Sequence, residues 1–153
     1  MNNEKFRNFV GAILLDSEKR IYLVKEVDLN KISEDRWNLP GGGVEDGETL
    51  NQAISREVEE ETGYKTDSEK IIAMYYCTKE DEHWNYIVFY TKAILWNKND
   101  STDPAIQTGK WFTKDELDKL NESEIVHEDI RTLYTQIYND EPISMRYSRK
   151  IDY

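Results

Sequence analysis

The segment from Asn38 to Tyr64, NLPGGGVEDGETLNQAISREVEEETGY, joins three consecutive glycines to a predicted helix. Thr49 and Gln52 have the spacing of a capping box, which marks the start of a helix. Gly63 is suited to the left-handed conformation that ends many helices. The sequence therefore predicts a helix over residues 49–62 and fixes its register.

This helix places carboxylates on the side that should face the core. At about 100° per residue, Glu57 and Glu61 fall in the middle of the apolar face, with Glu60 at its edge and Glu59 opposite. The apolar positions of that face are Leu50, Ala53, Ile54 and Val58. Burying unpaired carboxylates costs several kcal/mol. Solvation therefore explains Glu59, but it does not explain Glu57 or Glu61.

A divalent cation removes this conflict. Residues at i, i+3 and i+4 stand on adjacent turns of a helix, so Glu57, Glu60 and Glu61 can converge on one ion. Oxygen ligands with several retained waters suit Mg²⁺ or Mn²⁺. The glycines Gly41–Gly43 add a backbone that a phosphorylated ligand can approach closely. The segment therefore predicts a combined metal and phosphate site.

The flanking sequence predicts an α/β fold. The β-rich runs Arg7–Asp16 and Arg20–Val27 indicate a hairpin, and WNLPGGG is expected to lack regular structure. The strands EKIIAMYYCTK and WNYIVFYTKAILW flank an acidic turn, Glu80–His83, and a short strand KWF follows. Because strands and helices mix without a strict βαβ rhythm, we expect a mixed sheet with helices on its faces.

Two further helices are predicted. TKDEL offers a capping box from Thr113 to Glu116, and SEIVHEDIRTLYTQIY has the pattern of an amphipathic helix. Its apolar positions at helical spacing are Val126, Ile130, Leu133, Tyr134 and Ile137. We expect one domain over residues 1–153, with a core over about 6–138 and a locally basic tail, 139–153.

Composition excludes several classes of protein. The net charge of −11 disfavours general attraction to nucleic acid or anionic membranes. The single cysteine, Cys77, excludes an internal disulfide framework and a cysteine-based zinc cluster. Because there is no apolar run of membrane-spanning length and no signal-peptide pattern, a cytoplasmic location is expected.

At these residues the chain resembles the Nudix hydrolase family, whose signature is G-x5-E-x7-R-E-U-x-E-E-x-G-U, with U a bulky hydrophobic residue. The match begins at Gly42, passes through Glu48 and ends in REVEEETGY, Arg56 to Tyr64. Every fixed position is met, and only Tyr64 is aromatic where an aliphatic residue is usual. The similarity extends loosely over Phe6–Tyr138, which implies an α/β/α sandwich around a mixed sheet.

The resemblance implies hydrolysis of nucleoside diphosphates linked to another moiety, with Mg²⁺ or Mn²⁺. It also implies that Arg56 pairs with Glu48 and holds the glutamates in place. The positions that match the family's metal ligands are Glu57, Glu60 and Glu61, with the backbone carbonyl of Gly41 or Gly42. Glu60 is one candidate general base. The loop acids that remain alternatives are Glu80, Glu82, Asp100 and Asp103.

Candidates for substrate binding are Trp84, which could stack on a nucleobase, Arg36, which could bind phosphate, and Gly41. The expected substrate is a small nucleotide: a nucleoside di- or triphosphate, ADP-ribose or a sugar nucleotide. The alternatives are the 5′ end of RNA, which the acidic charge disfavours, and a non-catalytic nucleotide-binding module. Such a module is expected to lose the signature carboxylates Glu57, Glu60 and Glu61, which this chain retains. The family resemblance also makes a homodimer an expectation.

Overall fold

The computed structural model describes residues 7–26, 35–79, 82–94, 106–127, 129–143 and 146–152. The strands in chain order are β1 Arg7–Leu15, β2 Ile21–Glu26, β3 Trp37–Asn38, β4 Gly41–Gly43, β5 Lys65–Lys79, β6 Glu82–Ile94, β7 Ile106–Phe112 and β8 Arg146–Asp152. The α-helices are α1 Leu50–Thr62, α2 Lys114–Asp118 and α3 Asp129–Tyr138, and Glu122–Glu124 form a 3₁₀ turn.

The strands form one mixed sheet in the order β3-β2-β1-β6-β5-β8, with β4 beside β1 and β7 beside β2. Alternate residues of a strand point to opposite faces. Val10 packs on one face with Val58 of α1, and Ile13 packs on the other with Leu133 of α3. Full burial of a side chain of this size contributes about 1.5–3 kcal/mol. The predicted α/β/α sandwich is confirmed.

The predicted hairpin of β1 and β2 exists only at its turn. The two strands pair antiparallel at Leu15 and Ile21. Beyond that pair β2 turns to β3 and β7, while β1 pairs with β6 in parallel. The place beside β1 is taken by β4, whose Gly42 pairs with Val10. This exchange of partners brings the glycine segment into the sheet.

The expectation that WNLPGGG lacks regular structure is wrong. Its residues form the two short strands β3 and β4, and the carbonyl of Pro40 accepts a hydrogen bond from the Ala12 amide at 2.9 Å. Gly41 has a φ of 155°, and a Cβ there would lie 2.0 Å from the Val10 carbonyl oxygen. Glycine therefore permits a close backbone pairing that a side chain would block.

The C-terminal helix begins later than predicted. Ile130, Leu133, Tyr134 and Ile137 are buried as expected, but Val126 precedes α3. The Val126 amide donates instead to the carbonyl of Trp37 at 2.9 Å, and Ile125 bridges to Trp37 in parallel. This pairing occupies the Val126 amide, which a continuous helix would need, and Glu122–Glu124 before it form only a 3₁₀ turn.

The sheet continues past the predicted core boundary at residue 138. Strand β8, within the expected tail, pairs in parallel with the outer side of β5. Its sequence RYSRKID lacks the apolar alternation that signals a strand, so only pairing with β5 defines it. Strands β5 and β7 also begin earlier than predicted, at Lys65 and Ile106. Within the described ranges no helix is long and apolar enough to cross a membrane.

Candidate active site

Helix α1 begins and ends where the sequence predicts. The Thr49 hydroxyl accepts a hydrogen bond from the Gln52 amide at 3.2 Å, and the Gln52 side chain accepts one from the Thr49 amide at 2.9 Å. Gly63 has a φ of 71° and donates its amide to the Glu59 carbonyl. These contacts satisfy backbone groups that helix ends leave without intrahelical partners. They fix the register on which the site depends.

The inward orientation of the glutamates is confirmed. Glu57 and Glu61 are only 8% and 4% exposed. Glu60 is half-buried, and Glu59 is exposed. The helix therefore aims two carboxylates into the protein beside a third.

Arg56 joins these carboxylates to the loop before the helix. Its Nε and Nη2 donate to the two oxygens of Glu48 at 2.9 and 3.0 Å, so the predicted pair is bidentate. Its Nη1 donates to Glu57 at 2.8 Å and to Glu60 at 3.1 Å. Its Nη2 also donates to the Gly43 carbonyl at 3.0 Å. One guanidinium thus spans the helix, the loop and the glycine strand, which a planar fork of donors allows.

The ion pair fixes the charge states of its members. The Arg56 hydrogen bonds hold the pKa of the Glu48 carboxyl below its ordinary value, and the Glu45 amide contributes in the same direction. Hydrogen bonds from Glu48 and Glu57 raise the pKa of Arg56, against the opposing effect of burial. Both groups therefore remain charged at neutral pH.

This shift predicts a contribution to acid unfolding. Because the folded-state pKa of Glu48 lies below its unfolded value, its stabilisation is present above the unfolded pKa and is lost as pH falls through the folded pKa. We expect the free energy of unfolding, measured in urea between pH 7 and pH 3, to fall less steeply with acid in Glu48→Gln than in the wild type. Equal slopes would contradict the prediction. Glu116→Gln is the comparison away from the site: hydrogen bonds from Thr113 and Lys110 lower the pKa of its carboxyl, so its replacement should flatten the slope as well.

The glycine strand lies directly against the buried carboxylates. The Gly41 amide donates to Glu61 Oε2 at 2.8 Å. A Cβ added at Gly42 would lie 2.6 Å from the carboxyl carbon of Glu57. The glycine backbone and the helix carboxylates therefore form one site, and the approach of a phosphorylated ligand to that backbone stays a prediction.

Gly42→Ala should displace the Glu57 carboxylate. The clash meets the end of a flexible side chain, so we expect a small loss of stability but a loss of Mg²⁺ affinity of about 10- to 100-fold, the size typical of disturbed metal-ligand support. Gly43→Ala is the matched control, because its Cβ would make an ordinary contact with Phe9 at 3.8 Å. Calorimetric titration with Mg²⁺ measures both variants. Equal affinities in the two would contradict the prediction.

The donor set suits a hard cation, since Glu57, Glu60 and Glu61 offer only oxygen. In the described part of the chain, no three acidic, histidine or cysteine side chains are already grouped around a possible cation position. Glu57 and Glu60 are turned towards Arg56, and Glu61 towards Gly41. The side chain of Glu60 is 46% exposed, so it has room to turn towards the other two. The residues therefore fit Mg²⁺ or Mn²⁺ after a side-chain adjustment.

A cavity lies on the α3 side of the sheet. It encloses about 310 Å³, including the part that opens to solvent. The residues around it include Leu39, Tyr75, Tyr86, His127, Asp129 and Ile130. Leu39 lies two residues before Gly41, and the Tyr86 hydroxyl lies over Gly11, which pairs with Gly41. The cavity therefore adjoins the glycine strand.

His127 contributes to the cavity, although no motif in the sequence points to it. Its ring lies 5.9 Å from the ring of Tyr86. Burial lowers the pKa of His127; Asp129 opposes this shift and the positive charge of Arg36 adds to it. His127 is therefore neutral at pH 7, and Arg36 is close enough to influence the cavity. The sequence carried no local signal for this group, because only the sheet brings β6 beside the segment before α3.

The other predicted site residues do not gather at the carboxylates. Trp84 lies between Arg7 and Cys77 on neighbouring strands and packs against the core under α3. It shares a strand face with Tyr86 but is not among the residues around the cavity. Glu82 is the exposed first residue of β6. The remaining candidates for the general base, Glu80, Asp100 and Asp103, lie outside the described residues.

The unusual aromatic residue of the signature has a structural explanation. The Trp111 indole donates to the Tyr64 hydroxyl at 3.1 Å. Both rings contact Tyr22 edge to face, at centroid distances of 4.9 and 5.6 Å. Edge-to-face pairs add about 0.5–1.5 kcal/mol beyond the area they bury. Tyr64 thus anchors the chain just after α1.

Comparisons with known proteins identify the family. The model of the NUDIX domain family matches residues 5–134. An RNA pyrophosphohydrolase from Wolbachia sp. subsp. Brugia malayi is 31% identical over 133 residues, covering 74% of this chain and 79% of that protein. One from Psychromonas ingrahamii is 28% identical over 114 residues, covering 73% of this chain but only 55% of that protein. A NUDIX hydrolase structure from Nitrosomonas europaea has a TM-score of 0.76 at 20% identity, covering 96% and 79% of the two chains.

The fold and the glutamate helix are those of one family, the Nudix hydrolases, and the chain belongs to that family. Within that family it is a hydrolase that acts on pyrophosphate bonds.

Proposed function

We propose that the chain cleaves the pyrophosphate linkage of a small nucleotide with the help of Mg²⁺ or Mn²⁺. The observation that carries the proposal is the burial of Glu57 and Glu61 against the glycine strand, with Arg56 beside them. Burying two acids in this position does not by itself stabilise the fold. A divalent cation held by these acids would neutralise their charge and that of a bound diphosphate.

The roles of the chain's own residues follow from this arrangement. Glu57, Glu60 and Glu61 would hold the cation, which neutralises the diphosphate and lowers the pKa of a coordinated water. Glu60 is the proposed base, because it is the most exposed of the three and can accept the proton of the attacking water. The ion pair of Arg56 and Glu48 would hold the helix against the loop that precedes it. The water attacks one phosphorus in line, and the other phosphate leaves.

The cavity is the proposed site for the nucleobase. Its aromatic and aliphatic walls suit a flat heterocycle, and neutral His127 with Asp129 offers hydrogen-bonding groups at its edge. Leu39, on the cavity wall, lies two residues before Gly41, so the phosphates of a base bound there would have to pass the glycine strand to reach the carboxylates. Arg36 is the proposed phosphate contact. The candidate substrates are nucleoside di- and triphosphates, ADP-ribose and sugar nucleotides.

A nucleotide panel tests the proposal. The panel includes these compounds, with and without Mg²⁺, and the readout is release of phosphate, pyrophosphate or nucleoside monophosphate. We expect metal-dependent turnover of at least one member. Absence of metal-dependent turnover of every compound would refute the proposed activity.

The second candidate function is removal of pyrophosphate from the 5′ end of RNA. It is favoured by the relatives named RNA pyrophosphohydrolase, at 28–31% identity. Both reactions break a phosphoric anhydride bond in the same way, so the signature residues support the two candidate functions equally. A 5′-triphosphorylated oligonucleotide in the same panel separates them, because kcat/KM for it should exceed that for the free triphosphate if RNA is the substrate.

A further inference from the structure

Tyr76 and His83 form a stacked pair on the α1 side of the sheet. Their rings are 5.9 Å apart and inclined by 12°. The Tyr76 hydroxyl and His83 Nδ1 are 3.1 Å apart, within hydrogen-bonding distance. Tyr76 is nevertheless 38% exposed. The pair therefore holds an aromatic surface at a fixed angle in contact with solvent.

Two amide side chains extend this surface towards the active site. Tyr76 is in register with Asn85, and Asn85 with Asn8. The Asn85 amide donates to the Asn8 side-chain oxygen at 3.0 Å. We call Asn8, Asn85, Tyr76 and His83 the aromatic–amide row. Neighbouring strands lie about 4.8 Å apart, so the row extends roughly 10 Å from Asn8 to Tyr76.

The inner end of the row meets the catalytic segment. The Asn8 carbonyl accepts a hydrogen bond from the Val44 amide at 2.9 Å. Val44 directly follows Gly43, whose carbonyl accepts from Arg56 at 3.0 Å. The row is therefore continuous with the glycine strand and leads away from the carboxylates over the sheet.

The chemistry of the row matches single-stranded RNA. Exposed aromatic rings bind nucleobases by stacking, which tolerates any sequence, and amides bind base edges and 2′-hydroxyls. The row contains no acidic side chain, although the chain as a whole carries a net charge of −11. Stacking and amide hydrogen bonds do not require a basic groove.

We propose that the aromatic–amide row binds nucleotides that follow the 5′ nucleotide of an RNA substrate, with one base stacked on Tyr76 and His83. This inference rests on the second candidate function. In this proposal the same catalytic residues act on a free nucleotide and on the 5′ end of RNA. The aromatic–amide row accounts for the preference for RNA.

Equilibrium binding without turnover tests the row. The probes are 5′-monophosphorylated oligoribonucleotides of one to four residues, titrated into the wild type and Tyr76→Ala. We expect the wild-type Kd to fall roughly tenfold once the oligonucleotide reaches the row, which is within the range for one stacked base. Tyr76→Ala should abolish this gain, and Tyr76→Phe, which keeps the ring, should retain it. The gain should change little with salt, because no phosphate ion pair is involved.

Tyr138→Ala is the matched control, since Tyr138 is equally exposed, at 38%, but lies at the end of α3. It should leave the gain intact. The proposal is overturned if the wild type shows no gain with length, if Tyr138→Ala removes the gain as well, or if Tyr76→Ala weakens the mononucleotide to the same degree. Release of pyrophosphate from triphosphorylated RNA is measured separately. A gain in binding without release would refute the second function and not the row.

Discussion

Glu60→Gln should lower kcat by about 10²- to 10⁴-fold, the usual contribution of a general base. Its effect on the fold should be small, because the Glu60 side chain is 46% exposed and its ion pair with Arg56, at 3.1 Å, is one of several that Arg56 makes. Exposed pairs contribute about 0–1 kcal/mol. Steady-state kinetics with Mg²⁺ and urea unfolding of the same preparations measure both quantities.

Glu59→Gln is the control for this experiment. Glu59 is the exposed neighbour on the same helix, and we expect its substitution to leave kcat unchanged. A metal titration separates the two roles proposed for Glu60, because excess Mg²⁺ should restore a weakened ligand but not a missing base. Unchanged kcat in Glu60→Gln would refute the assignment. The base would then have to be another acid, such as Glu82 at the start of β6.

The catalytic helix could be predicted closely because its signals are local. The capping box at Thr49 and the left-handed Gly63 concern neighbouring residues, so they fixed the register without any tertiary information. Given that register, the geometry of the helix alone places Glu57 and Glu61 inward. The pairing of Arg56 with Glu48 came from the family resemblance, and its contact with the Gly43 carbonyl was not predicted.

The glycine strand was mispredicted because its structure is imposed from outside. Three glycines have low intrinsic preference for a strand. Pairing of Gly41–Gly43 with β1 overrides that preference, and the absence of side chains permits the close contacts with Val10 and Glu57. The absence of side chains, which suggested a loop, is therefore what allows the strand.

The cavity was missed for a similar reason. Tyr75, Tyr86 and His127 come from three separate segments, and no spacing in the sequence relates them. Sequence patterns predict which face of an element is apolar, but they do not show where two apolar faces leave a space between them. Trp84, the residue predicted to stack on a nucleobase, shares its strand face with Tyr86, and it is Tyr86, two positions later, that lines the cavity.

Arg56→Ala should destabilise the metal-free protein more than any other single change in the site. It leaves Glu48 and Glu57, whose side chains are only 13% and 11% exposed, without their guanidinium. Removing one partner of a buried ion pair costs about 3–5 kcal/mol, and an exposed pair contributes about 1 kcal/mol or less. Arg56 is 24% exposed, so we expect a loss of about 2–3 kcal/mol between these limits. Urea unfolding in a chelator measures it.

Mg²⁺ should reduce this loss, because a cation bound only by the folded state stabilises that state and also screens the carboxylates from one another. The unfolding free energies of Arg56→Ala with and without Mg²⁺ should therefore differ by more than those of the wild type. Arg56→Lys is the control that keeps the positive charge. A lysine ammonium cannot reproduce the bidentate fork to Glu48, so we expect an intermediate loss of stability. If Arg56→Lys equals the wild type, charge alone holds the site, and the fork geometry has no role in aligning the glutamates with the glycine strand.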